Sequence, residues 1–297
     1  MGVCRLLAVA SVILLLGGSP GRAGDVPVDL ELVIAVDVSW SVDRVEAKLQ
    51  RDGYIAAFTD PRVIEAIEAG FIGRIAVLYF EWAGMGHNRI VLDWTEIGDA
   101  ASVRAFAGRL ANRPFESGYR TSISEAIDFA VPQFEVNGFD GKRRVIDISG
   151  DGANNYGRPV TQARDDAVAA GITINGLPIL GDDGNQYDRS WVPNLDLYFE
   201  NCVVGGRGAF VIAANGFGDF ASAIRQKLVL EIADRKPAPE AAPMRHAGDV
   251  PAGFRGMAVP VDDGRPLVLA QARTEDRQAP PCDIGERRWM YRYGYGN

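Results

Sequence analysis

An aspartate and two serines spaced by single residues, Asp37-Val38-Ser39-Trp40-Ser41, follow directly on the apolar run Leu30 to Val36. Extended backbone aims alternate side chains the same way, so this turn can bring one carboxylate and two hydroxyls into one space. Those are hard oxygen donors, suited to a divalent cation, and such a site needs more of them. Two later segments offer them: Thr121 after Gly118-Tyr119-Arg120, and Asp151 in Ser149-Gly150-Asp151-Gly152. Each motif alone has an ordinary alternative, because Asp, Ser and Thr also cap helices by accepting free backbone N–H groups. Other chemistries are less well supplied. Asp37 as the nucleophile of a metal-assisted phosphatase or hydrolase needs a second acid close by, and the Asp-x-Asp of such enzymes is here Asp37-Val38-Ser39. With only His87 and His246 as histidines and no CxxC, neither a zinc site of the usual kind nor a Ser/His/Asp triad is expected.

Positioning these groups falls to alternating apolar runs and helical patterns. Strands are predicted at Leu30 to Val36, Arg74 to Phe80, Arg89 to Leu92, Arg143 to Ile148, Ile172 to Leu177 and Gly208 to Ile212. Helices are predicted at Val42 to Phe58, Ala101 to Leu110, Thr121 to Phe134, Val160 to Ala170 and Phe217 to Ile232. Strands apolar on both faces, alternating with helices, imply a doubly wound α/β fold: a mainly parallel six-stranded sheet with helices on both faces. The link from Glu81 to His87 is too short for a crossover helix, so the third strand returns antiparallel, as an edge strand. Following the chain direction from there places the loops at Asp37, Gly118 to Thr121 and Gly150 to Gly152 on one rim, at the carboxyl ends of parallel strands. Open α/β sheets bind ligands on that rim.

The chain has 297 residues, 47% of them hydrophobic, and a formal net charge of -8, which excludes a wholly disordered chain and leaves no overall basic footprint for nucleic acid. Residues 1–23 read as a secretory signal, with Arg5 ahead of an apolar stretch from Leu6 to Leu16 and small residues at Gly21 and Ala23. That stretch is too short for a retained transmembrane anchor. Export then predicts a periplasmic or secreted protein, and few lysines against many arginines suggest a bacterial one. Cys202 and Cys282 would be left as the two cysteines of an oxidising compartment, either bridged or as a buried and a free thiol. Residues 28–233 form the main domain. Residues 234–297 are a Pro/Gly-rich tail read as mostly irregular, with one edge strand at Pro266 to Ala270 and an aromatic end from Trp289 to Tyr295. Gly205-Gly206-Arg207-Gly208 reads as a tight turn, and Gly181 to Asn185 as a solvated one.

Asp-x-Ser-x-Ser, a distal Thr and a distal Asp, in that order on an α/β scaffold, resemble the von Willebrand factor type A (vWA) domain and its metal-ion-dependent adhesion site. Ile34-Ala35-Val36-Asp37 and Lys227-Leu228-Val229-Leu230-Glu231-Ile232-Ala233 resemble exported bacterial vWA-like proteins of unassigned function. The resemblance covers about residues 28–233. It implies that Asp37, Ser39, Ser41, Thr121 and Asp151 hold Mg2+, or Mn2+ or Ca2+, and that an acidic side chain of a protein partner completes the shell. A binding module follows, not an enzyme; a structural module with a vestigial site is the other non-enzymatic reading. Many relatives place Gly-Gly before the Thr, whereas Tyr119 and Arg120 stand here, and Arg120 is placed either to repel a cation or to pair with Asp151. Trp40 is either a partner anchor or packed against the Glu81 to His87 turn. Trp82, Met85 and His87 in that turn join Tyr119 and Arg120 as candidates for a partner-binding rim. Oligomeric state has no signature in the sequence.

Overall fold

The computed structural model describes residues 24–181, 192–234 and 277–294, with three short strands between the last two segments. The signal-like residues 1–23, most of the turn at Gly181 to Asn185, the linker at 236–243 and the final Tyr295 lie outside the described residues. In chain order the elements begin β1 (Val26–Val28), β2 (Leu30–Asp37), α1 (Arg44–Phe58), α2 (Pro61–Glu68), β3 (Ile75–Trp82) and β4 (Asn88–Ile97). Then come α3 (Ala100–Ala111), α4 (Ile123–Ala130), β5 (Phe139–Gly141), β6 (Arg144–Gly150), α5 (Val160–Ala169) and β7 (Thr173–Leu180). After these follow α6 (Leu195–Tyr198), a π-helical turn at Phe199–Val203, β8 (Ala214–Asn215) and α7 (Phe220–Ile232). The C-terminal segment adds β9 (Arg245–His246), β10 (Ala258–Pro260), β11 (Pro266–Val268) and α8 (Ile284–Tyr293).

Six strands form one sheet in the order β4-β3-β2-β6-β7-β8, antiparallel between β3 and β4 and parallel elsewhere. This is the doubly wound α/β architecture. All eight residues of β2 are buried, because Leu30, Leu32, Ile34 and Val36 pack toward α1 and α7 while Val33 and Ala35 pack toward α4 and α5. Both faces are thus covered, as the unbroken apolar runs require. Among the described residues no helix is long and apolar enough to cross a membrane.

The structure departs from the sequence expectations in local ways. The antiparallel edge strand runs to ten residues rather than four. Helix α2, not expected from periodicity, is started by Asp60, whose side chain accepts the Arg62 N–H, with Pro61 at the first helical position. Gly208 to Ile212 is not a strand. It touches β7 through an isolated bridge at Val211, and the Phe210 N–H is spent on the Asn175 side chain at 3.0 Å, so the edge strand forms later, at Ala214–Asn215. The C-terminal segment, read as mostly irregular, carries α8, and the strand expected from Pro266 is present but lies between β9 and β10 rather than at an edge.

Candidate functional site

Asp37 ends β2 with its side chain fully buried. Its Oδ1 accepts the Ser39 N–H at 2.7 Å, and Gln50 on α1 donates to its carbonyl at 3.3 Å. From there a chain of polar contacts runs across the rim: the Ser39 and Ser41 hydroxyls are 3.0 Å apart, and Ser41 donates to Asp151 Oδ1 at 2.8 Å. Thr121 arrives from the loop before α4, held by reciprocal bonds with Asn155: its N–H donates to Asn155 Oδ1 at 3.1 Å, and its carbonyl accepts the Asn155 N–H at 2.8 Å. A Cβ on Gly152 would stand 3.7 Å from the Thr121 hydroxyl oxygen, so this hydroxyl borders the Asp151 loop. Five residues from three loops, spread over more than a hundred positions of sequence, meet at the carboxyl ends of β2 and β6.

Helix capping does not account for them. Asp43, not the Asp-x-Ser-x-Ser segment, caps α1, accepting the Val45 and Glu46 N–H groups in a capping box with Glu46. Ser122, not Thr121, caps α4 by accepting the Glu125 N–H. The next helix after Asp151 begins at Val160. Both helices therefore start two residues later than periodicity predicted, and the five oxygen-bearing side chains are left outside the capping positions.

The electrostatics point the same way. Asp37 Oδ2 is buried with no hydrogen-bond partner, and a Cβ on Gly150 would come within 3.0 Å of it. Burial pushes the Asp37 carboxyl well above its ordinary range and the Asp151 charge pushes it further, against the opposing pull of the Ser39 donors and the Asp151 N–H. A buried acid oxygen without a hydrogen-bond donor, beside a second acid, is a place where a positive counter-charge would offset the cost of ionisation. Among the described residues no group of three or more His, Cys, Asp or Glu could hold a metal, so a cation here would rely on two carboxylates and three hydroxyls. That is an all-oxygen set, which fits a hard divalent ion.

Around this centre the candidate rim residues separate. Trp40 and Tyr119 are 70% and 64% exposed, and their rings meet edge to face with centroids 5.1 Å apart. Trp82 does not stand on the rim: it is fully buried in the core, with its ring against Gly150. The β3 register decides this, since Trp82 pairs with Asp37 and lies under the site. His87 is half-buried beneath Gly118, where a Cβ would meet its ring at 2.9 Å. Arg120, with a positive φ of 66°, sends its guanidinium over the Trp289 ring at 3.3 Å and the Tyr156 ring at 5.5 Å.

Several positioning groups were not singled out from the sequence. Glu81 is buried between Arg51 and Arg89; Arg51 also donates to the Arg113 and Pro114 carbonyls and Arg89 to the Pro114 carbonyl, which fixes the approach to Gly118. Gly84 accommodates the loop: its N–H serves the Tyr119 and Arg120 carbonyls, and a Cβ would come within 2.5 Å of Arg120 Cβ. Asn154 and Asn155 tie the Asp151 loop to the start of α4, and their only sequence signal was two adjacent amides just beyond Gly-Asp-Gly. Cys202 and Cys282 are joined in a disulfide.

Residues 27–236 match the family described as Protein of unknown function (DUF1194). No curated protein matches the chain. Among solved structures, a von Willebrand factor type A protein from Catenulispora acidiphila is similar at 15% identity, with a TM-score of 0.49, over 82% of this chain and 54% of that one. Proximal thread matrix protein 1 from the mussel byssus, with a zinc-occupied MIDAS motif, is similar at 11% identity, with a TM-score of 0.48, over 70% of this chain and 47% of that one. The chain spans about half the length of each of these structures.

Proposed function

This chain belongs to the DUF1194 family, and we propose that it is an exported, metal-dependent protein-binding module. Asp37, Ser39, Ser41, Thr121 and Asp151 would hold a divalent cation, Mg2+ or else Mn2+ or Ca2+, with a shell left open for an acidic side chain of a partner protein. The observation that carries this reading is the buried, unpartnered Oδ2 of Asp37, in a cluster of carboxylates and hydroxyls that no helix cap uses. A bound cation would place a strong positive charge where a carboxylate can approach. The exposed Trp40 and Tyr119 pair supplies an apolar anchor beside it, of the kind that dominates binding energy at interfaces. An aspartyl nucleophile must reach its substrate, and the complete burial of Asp37 speaks against the hydrolase alternative. The signal-like residues 1–23 support export.

Calorimetric titration of the chelator-stripped chain with Mg2+ and Mn2+, beside Asp37→Ala and Asp151→Ala, tests the reading. Saturable binding that both variants lose is expected. No binding by the parent chain, or binding that survives both substitutions, would overturn it.

A further inference from the structure

The segment that ends in α8 lies beyond the residues matched by the family, yet it is tied to the domain and bears on two of the three loops of the site. One tie is the Cys202–Cys282 disulfide, with Cα atoms 5.4 Å apart. The other is Arg277, which grips Asp196 with two bonds of 2.7 and 3.0 Å and donates to Asn194 Oδ1 at 3.0 Å, while Asn194 donates to the Gln278 carbonyl at 3.1 Å. From Cys282 the chain enters α8 directly over the Asp151 loop. Gly285 packs so closely there that a Cβ would stand 2.0 Å from the Asn154 carbonyl oxygen.

Asn154 is the junction. Its N–H donates to the Tyr198 hydroxyl at 3.1 Å, its Oδ1 accepts the Ser124 N–H at 3.0 Å, and its Nδ2 donates to Glu286 Oε1 at 2.8 Å. One amide therefore links the Asp151 loop, the start of α4 beside Thr121, and α8. One turn further on, Trp289 lies under the guanidinium of Arg120, the residue before Thr121. Loops that must converge on one ligand lose conformational freedom when it binds, and an element that orders them beforehand removes that cost.

We propose that α8 is a working part of the site: Gly285, Glu286 and Trp289 are positioning residues that hold the Thr121 and Asp151 loops in register, and the disulfide keeps α8 in place. The consequence for cation affinity rests on the metal reading above; the consequence for loop order does not.

The test uses the full chain, with amide hydrogen exchange followed without metal in segments 118–125 and 151–158, and with Mg2+ affinity measured alongside. The variants are Trp289→Ala, Trp289→Phe and the double substitution Cys202→Ser with Cys282→Ser. Exchange in both loop segments is expected to quicken by about tenfold or more in Trp289→Ala and in the cysteine variant, with β2, β3 and β6 still protected. Trp289→Phe, which keeps a ring under Arg120, should recover most of the protection, an outcome that a general loss of stability would not give. Mg2+ affinity should fall by about tenfold in step with loop order. If the cysteine variant does not fold, the Trp289 pair decides. Unchanged exchange in both loops of folded Trp289→Ala overturns the proposal. Faster loop exchange in the variants, together with no cation bound by the parent chain, would support the role of α8 and sink the metal reading alone.

Discussion

Replacing Asp37 with asparagine separates the stability of the fold from the demands of the site. The amide keeps the side-chain shape and the acceptor for the Ser39 N–H, and it removes the charge. In the metal-free protein that charge is a burden, because the group is fully buried, its Oδ2 has no donor, and the Asp151 carboxylate lies close enough to raise its proton affinity. A buried polar atom left unsatisfied costs about 1–3 kcal/mol and more when it is charged; the amide leaves a polar atom there but no charge, so Asp37→Asn is expected to stabilise the chelator-treated protein by about 1 kcal/mol. Magnesium reverses the comparison. At about a hundredfold excess over its Kd, a ligand that binds the folded state alone stabilises it by about 2.7 kcal/mol, a gain open to the parent and closed to the variant. Urea unfolding followed by tryptophan fluorescence, with chelator and with Mg2+, reads both numbers, provided the slope against denaturant is shared. A variant about 1 kcal/mol or more less stable than the parent in chelator would mean that the carboxylate holds the fold together. An equal magnesium gain in both proteins would place the ion elsewhere. Either result refutes the reasoning.

Two further substitutions test the scaffold. Lys227 on α7 is fully buried, with its ammonium 2.5 Å from both Asp147 and Glu231, so Lys227→Met, which leaves two buried acids facing each other, should cost about 3–5 kcal/mol in urea unfolding. Burial and the Glu231 charge push the Asp147 carboxyl up to about 7 despite Lys227, so the folded parent keeps a proton that the unfolded chain releases. Its stability should therefore fall as pH rises from about 4 to about 7, and a urea midpoint flat across that window would contradict the assignment. Gly84→Ala puts a Cβ against Arg120 and the Tyr119 carbonyl, so it should destabilise by about 1–3 kcal/mol and weaken Mg2+ binding through the Thr121 loop, as calorimetry would show. Unaltered affinity would mean that the loop adjusts without moving Thr121.

Much of the fold was legible because buried parallel strands must be apolar on both faces and the helices between them must show one apolar face. The parallel strands β2, β3, β6 and β7 and the antiparallel return of β4 followed from those runs and from one short link, whereas their order across the sheet came only with the tertiary structure. Boundaries were harder to read. Local capping chemistry decides them, and Asp43 and Ser122 compete with neighbouring residues of the same types. Trp82 was misplaced because its segment looked like a turn, whereas pairing with β2 extends β3 through it into the core. The strand expected at Gly208 to Ile212 failed for a similar reason, a side chain of β7 taking a backbone N–H that a ladder would need.

For the site itself, the sequence by itself determined the donor types, their order along the chain and the rim on which their loops emerge, because side-chain chemistry and strand direction are local properties. Only the tertiary structure decided that Ser41 reaches Asp151, that Thr121 is held by Asn155, that Asp37 keeps an unpartnered oxygen, and that α8 touches two of the three loops. Such contacts join residues far apart in sequence. Their distances are set by how sheet and helices pack, which no spacing within a single segment encodes.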